Sequence, residues 1–292
     1  ACHIRVAPTS SQDKPVTAPH DRTAAPEAPV PGGETASDLP AWDLSDLYPG
    51  RDSPEITADL DRAEAEAKAF ARRYQGRLAA LPGEELAAAI AEFERIEEIL
   101  GRVMSYAQLV FAEDATDPAI GKFYQGCNER VTAISTHLIF FALELNRIED
   151  AALEAKIAGT ALEEWRPWLR DLRVFRPHQL SDELERLLHE KEVTGRAAWN
   201  RLFDETLADL RIPVDGEGLT LSAALNRLSD PDRARREAAA HAIGESLGRN
   251  ARLFALVTNT LAKDKEIIDT WRKYPKRESY RNRANMVEDE VV

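Results

Sequence analysis

Apolar residues recur three and four positions apart along almost the whole chain, and that spacing restricts it to packed helices. Ile56, Leu60, Ala63, Ala67, Phe70 and Tyr74 form one stripe. Leu86, Ile90, Phe93, Ile96, Leu100 and Val103 form a second. A third runs through Ile120, Phe123, Cys127, Val131, Ile134, Leu138, Phe141 and Leu145, and reads as one continuous helix. Each set lies on one helix face, which is stable only when another apolar face covers it. Gly76 closes the first segment, Pro82-Gly83 separates it from the second, and Thr116 or Asp117 can cap the third. The short connections suit antiparallel packing.

Beyond residue 150 the pattern is more broken. Leu153 to Leu169 holds one or two short helices, expected to stop near Pro167 and Pro177. Ser181 is the expected cap of the next helix, Gly195 interrupts it, and Trp199, Leu202 and Phe203 lead a further helix to about Leu210. Arg211 to Leu221, with Asp215-Gly216-Glu217-Gly218 at its centre, reads as a hairpin, and Pro213 restricts its strand to an edge. Ser222 is expected to cap a small helix, and Asp230-Pro231 to open a longer one. The last long helix carries Phe254, Val257, Leu261, Lys265 and Ile268. The fold class is therefore all-α, mostly helical, with one short β-hairpin near 211–221. No fixed repeat of solenoid type is present.

The two ends differ from this body. Residues 1–38 are rich in Pro, Ala, Ser and Thr, cannot bury enough surface to offset ordering entropy, and read as a disordered leader. Trp42, Leu44, Leu47 and Tyr48 are expected to anchor the start of the folded part, which runs from 39 to 292. At the other end, Asn282 to Val292 lacks Gly, Pro and a basic last turn, so a helix is expected to run on to Val292. The chain also lacks an initiating Met, so its front edge reads as irregular, and the end at Val292 reads as a cut in a longer polypeptide. That reading predicts exposed apolar surface between residues 254 and 292.

Charge excludes some partners. With 51 acidic and 38 basic residues the chain carries a net charge of −13, which repels phosphate backbones and anionic lipid surfaces. Neither nucleic acid nor a membrane is an expected partner. The local exception, Arg272-Lys273-Tyr274-Pro275-Lys276-Arg277, reads as a solvated helix end favoured by the helix dipole. No apolar run reaches the roughly 18 residues of a membrane helix, and the first residues are not a signal peptide. Of the two cysteines, Cys2 lies in the leader and Cys127 on an apolar stripe, where a small buried hydrophobe is expected. So few cysteines suit a reducing, cytoplasmic setting.

No local chemistry emerges from the motifs. His189 opens His189-Glu190-Lys191-Glu192-Val193, but a zinc peptidase helix needs a second histidine where Val193 stands. His189 therefore reads as a surface helix residue. His3 and His20 fall in the leader, His137 at a core boundary, His178 in a loop, and His241 on a helix where it is expected to pack. Phosphate loops, nucleophile elbows and paired-cysteine motifs are missing. Glu97-Glu98 and Glu163-Glu164 are adjacent, point apart around a helix, and read as charge on a solvated face. No catalytic, metal or substrate-binding residue is assigned.

Several ordered segments nevertheless resemble a known family. Leu39-Pro40-Ala41-Trp42-Asp43-Leu44-Ser45-Asp46-Leu47-Tyr48-Pro49 is similar to the opening of bacterial oligoendopeptidase F, a thimet-oligopeptidase-like zinc metallopeptidase. Phe140 to Asn146, Gln179 to Glu185 with Glu190-Lys191, Ala198 to Glu205, Asn259 to Ile267 with Trp271-Arg272, and Asn285 to Val292 also resemble it. The resemblance covers about 39 to 292. It implies the N-terminal portion of a helical zinc oligopeptidase fold, a wall or lid over a channel that admits short peptides. In that family zinc is held by the histidines of HExxH and a downstream glutamate, positions this chain does not contain. The resemblance therefore implies zinc in the full-length family, none bound by this chain alone, and no activity of the chain by itself. A complete, non-catalytic helical binding protein is the alternative.

Overall fold

The computed structural model describes residues 42–292. The leader, Cys2, His3, His20 and Leu39 to Ala41 lie outside the described residues. Three long helices carry the main core: α1 (Pro54–Tyr74), α2 (Gly83–Glu113) and α3 (Pro118–Ser135). Every residue of the first two predicted stripes is buried. Phe70, fully buried, meets the rings of Tyr74, Phe93, Phe140 and Phe141 at centroid distances of 4.8, 6.2, 5.8 and 5.1 Å. Burying one such ring contributes about 2–3 kcal/mol.

The boundaries have local causes. Gly76 adopts φ 78° just past α1, where a side chain would be strained. Gly83 starts α2 against the end of another helix, and a Cβ there would overlap the Lys156 carbonyl oxygen. Asp117 caps α3 by accepting the Ala119 N–H at 2.7 Å, with Pro118 in the first turn.

The third stripe is not one helix. The chain breaks at 136–138 and restarts as α4 (Ile139–Arg147). Ser135 and Thr136 both donate their hydroxyls to the Thr132 carbonyl, at 3.2 and 2.8 Å, which competes with the helical ladder. Apolar spacing continues across the break, so periodicity alone does not reveal it.

Next come α5 (Asp150–Ile157), α6 (Arg166–Arg173), α7 (Asp182–Lys191) and α8 (Arg196–Asp209). Pro167 opens α6 instead of stopping a helix, because a first-turn residue needs no N–H partner. Ser181 precedes α7 without a side-chain cap bond. The hairpin is present as β1 (Ile212–Val214) and β2 (Glu217–Leu219), antiparallel, with Ile212 opposite Leu219. Asp215 and Gly216 turn it with φ 52° and 86°.

The remaining helices are α9 (Leu221–Asn226), α10 (Arg233–Arg249), α11 (Ala251–Trp271) and α12 (Ser279–Ala284). Thr220, not Ser222, caps α9, and Asp232, not Asp230, caps α10. A second, smaller core joins Ile212, Val214, Ala224, Ala239 and Ile243.

The helix expected to reach Val292 ends at Ala284. The Val287 N–H returns to the Asn282 carbonyl and the Met286 N–H to Arg283, both at 3.0 Å, with Met286 at φ 52°. This is a Schellman ending built without glycine, so the glycine signal for a stop is missing from the sequence.

Candidate functional site

The histidines do not converge. His189, expected on the surface, is half-buried, and its Nε2 lies 2.8 Å from the Ser135 hydroxyl. Burial holds its pKa below the ordinary histidine range, so the ring is neutral near pH 7. A serine–histidine pair invites comparison with a nucleophile and its base. No carboxylate hydrogen-bonds the ring among the described residues, so the acidic third member that orients a catalytic base is missing there. The contact ties α3 to α7. His241, expected to pack, is exposed, its side chain 77 % accessible. His137 sits at the core boundary, as expected.

His178 is buried and belongs to a polar cluster that joins the segments around α7 and the end of α11. Its Nδ1 lies 2.8 Å from the Arg272 carbonyl oxygen, and its ring stacks on Tyr274 at 4.0 Å. Arg272 donates to both oxygens of Glu185, at 2.6 and 2.7 Å, and to the His178 carbonyl at 3.2 Å. Glu185 also accepts the Leu180 N–H at 2.9 Å. Burial alone would raise the Glu185 carboxyl. The guanidinium and the N–H outweigh it and hold the group below the usual carboxylate range. The first residue of the basic run is thus an anchor joining the end of α11 to α7, not a solvated charge. Glu185 and Arg272 both lie in segments that carry the family resemblance, but nothing in their spacing shows that they meet.

A second buried network fixes the entry segment. The Tyr48 hydroxyl donates to Asp59 at 2.7 Å, Arg102 donates to Asp59 and to the Tyr48 oxygen, and Arg62 donates to Asp59 at 2.6 Å. Burial would raise the Asp59 carboxyl, but these three donors keep it low. Burial, with the Asp59 bond, pushes Tyr48 up to about 12. Leu44 and Leu47 pack partly, whereas Trp42, expected as an anchor, is 82 % exposed. An open cleft of about 510 Å³ lies beside this network, lined by Trp42, Tyr48, Arg51, Tyr106 and Asp114.

Glu98 is solvated as expected, but Glu97 is half-buried, and burial pushes its carboxyl up. Cys127 is buried, its thiol raised to about 11 by burial. Among the described residues no three His, Cys, Asp or Glu side chains are grouped as a metal ion requires. These residues do not fit a zinc centre. No described helix is long and apolar enough to cross a membrane.

Several large apolar side chains are exposed on α7, α8 and α11. α7 and α8 bury no residue fully, and α11 buries only Val257. Leu187, Leu202, Phe203, Leu256, Ile267 and Trp271 are exposed along these helices, as are Met286, Val291 and Val292. The expected exposed apolar surface between 254 and 292 is therefore present.

The described residues form a helical body with one small hairpin and two hydrophobic cores. Residues 144–212 match the family described as Oligopeptidase F. The structure superposes on oligoendopeptidase-F from Enterococcus faecium with a TM-score of 0.71 at 21% identity, covering 82% of this chain and 48% of that one. It also superposes on a "putative peptidase" from Chlamydophila abortus with a TM-score of 0.52 at 18% identity, covering 87% and 44%. No curated protein matches the chain significantly. The chain is oligoendopeptidase F-like in its N-terminal fold, and it spans about half the length of the solved structures it matches.

Proposed function

We propose that the chain is the N-terminal part of a zinc metalloendopeptidase that hydrolyses short peptides in the cytoplasm. The observation that carries this reading is the fold likeness to oligoendopeptidase-F over 82% of the chain, together with the oligopeptidase F match at 144–212. Residues 39–292 then form one region, a wall or lid beside the substrate channel. The zinc ligands come from polypeptide other than residues 42–292. The apolar face of α8 and α11 supports the same reading, since Phe203, Leu256 and Trp271 are covered when more of such an enzyme packs on them.

Peptide hydrolysis tests it. The 292-residue chain and the product of its complete reading frame are assayed against a quenched fluorescent nonapeptide, with and without 1,10-phenanthroline. The expected result is chelator-sensitive cleavage by the product of a frame that encodes HExxH, and none by the 292-residue chain. A complete frame without that motif, or one whose product leaves the peptide intact, overturns the proposal and favours a non-catalytic helical binding protein.

A further inference from the structure

The basic run after α11 is a place in this acidic chain where cations outnumber carboxylates. Residues 272–283 hold six basic side chains, Arg272, Lys273, Lys276, Arg277, Arg281 and Arg283, against one acid, Glu278. Arg272 is spent on Glu185. The other five have no ion-pair partner among the described residues, whereas the arginines of α6 are each bridged to a carboxylate. Lys273, Lys276, Arg277 and Arg281 are exposed. Downstream, Asp289 accepts from Asn282 at 2.9 Å, and among the described residues neither Glu288 nor Glu290 forms an ion pair with these cations.

The platform beneath these cations is fixed. Tyr274 stacks on His178 at 4.0 Å, and the Arg283 guanidinium lies 5.9 Å from its ring centroid. Tyr280 meets Tyr274 edge-on at 5.8 Å and Phe175 at 6.1 Å. Ser279 and Asn282 are buried, and the Ser279 hydroxyl oxygen accepts the Lys276 N–H at 3.2 Å. Lys273 stands at φ 58°, the left-handed position that ends α11, with the Tyr274 N–H bonded to the Asp269 carbonyl at 2.9 Å. Glycine is the favoured residue there, and a lysine is strained.

We infer that the 272–283 platform binds the acidic segment of a peptide, its carboxylates meeting Lys273, Lys276, Arg277 and Arg281 in place of water. This rests on the peptidase reading and names a substrate class for it. A long polyanion is disfavoured by the net charge of −13, which a short peptide with a few carboxylates largely escapes.

Fluorescence anisotropy on the intact 292-residue chain tests it, with three fluorescein-labelled probes: a nonapeptide of alternating Glu and Ala, its Lys and Ala counterpart, and a nine-nucleotide single-stranded DNA. The expected order is tightest binding to the Glu peptide, weakened by 0.5 M salt, and roughly tenfold weaker binding in the triple variant Lys276→Gln, Arg277→Gln, Arg281→Gln. Circular dichroism and an unchanged Tm show that the triple variant is folded. A second triple variant on α10 (Arg233→Gln, Arg235→Gln, Arg236→Gln) is expected to bind like the parent. Equal affinity for both peptides, tighter binding to the DNA, or equal loss in both triple variants overturns the inference. The readout is binding, so it fails or holds independently of hydrolysis by the complete reading frame.

Discussion

Arg272 and Glu185 meet across 87 positions of sequence, guanidinium to carboxylate, at 2.6 and 2.7 Å. Their side chains are only 17 % and 14 % exposed, so the pair is shielded enough for its loss to be felt. Arg272→Gln leaves Glu185 buried without its cation, and is expected to cost about 3 kcal/mol. Thermal unfolding at pH 7 should show a Tm lower by about 6–12 °C. The pH dependence carries a sign. Glu185 has a lowered folded pKa, so its contribution is complete above the ordinary value of 4.5 and is lost as pH falls through the folded one. In the variant only the Leu180 N–H still opposes burial, so that pKa rises. The deficit of Arg272→Gln should therefore shrink toward pH 4, and a constant deficit would contradict the assignment.

Tyr48 makes the opposite prediction at the alkaline end. Its folded pKa of about 12 lies above the ordinary value of 10.0. Its contribution is present below pH 10 and is lost as pH rises through about 12. Tyr48→Phe removes one donor to Asp59 and is expected to cost about 1 kcal/mol at neutral pH. The variant should lose less stability than the parent between pH 10 and 12, measured by urea unfolding at each pH.

Glu97 should be a site of gain. Its carboxyl is half-buried with its pKa raised by burial alone, so ionisation weakens the folded state as pH rises past the ordinary value of 4.5. Glu97→Gln keeps the shape and removes the charge. A Tm about 2 °C higher at pH 7, with no difference at pH 4, is expected in differential scanning calorimetry. A lower Tm at pH 7 would mean that the carboxylate has a stabilising role.

Cys127 should be chemically silent. The thiol is buried on α3 and raised to about 11, so little thiolate exists near neutral pH. Labelling by a disulfide reagent at pH 8 is expected to be at least roughly 100-fold slower at Cys127 in the folded chain than in 6 M guanidinium. Peptide mapping assigns the modified residue.

How far the sequence reaches depends on the range of the interaction. Stripes such as Ile56 to Tyr74 are written in neighbouring residues, because helix geometry brings positions three and four apart onto one face, and all of that stripe is buried. Gly76, Asp117 and the Asp215-Gly216 turn are legible for the same reason: each acts through its own backbone. The break at 136–138 is not, since Ser135 and Thr136 bond to a backbone carbonyl while the apolar period runs on. Nor is the helix end at Ala284, where Met286 takes the place of glycine.

The polar clusters lie furthest from the sequence's reach. Arg272 looks like part of a charged run, His178 like a loop residue and His189 like a surface one. Only tertiary packing brings Arg272 to Glu185, stacks His178 on Tyr274 and sets His189 beside Ser135. By itself the sequence determined that this chain is helical, where its main core lies and which local turns divide it. Which charges are buried, which are paired and which remain free on the 272–283 platform was decided by tertiary structure alone. The energy of a charge depends on its distance to partners remote in sequence and on the water excluded around it, and neither quantity is encoded in residue spacing.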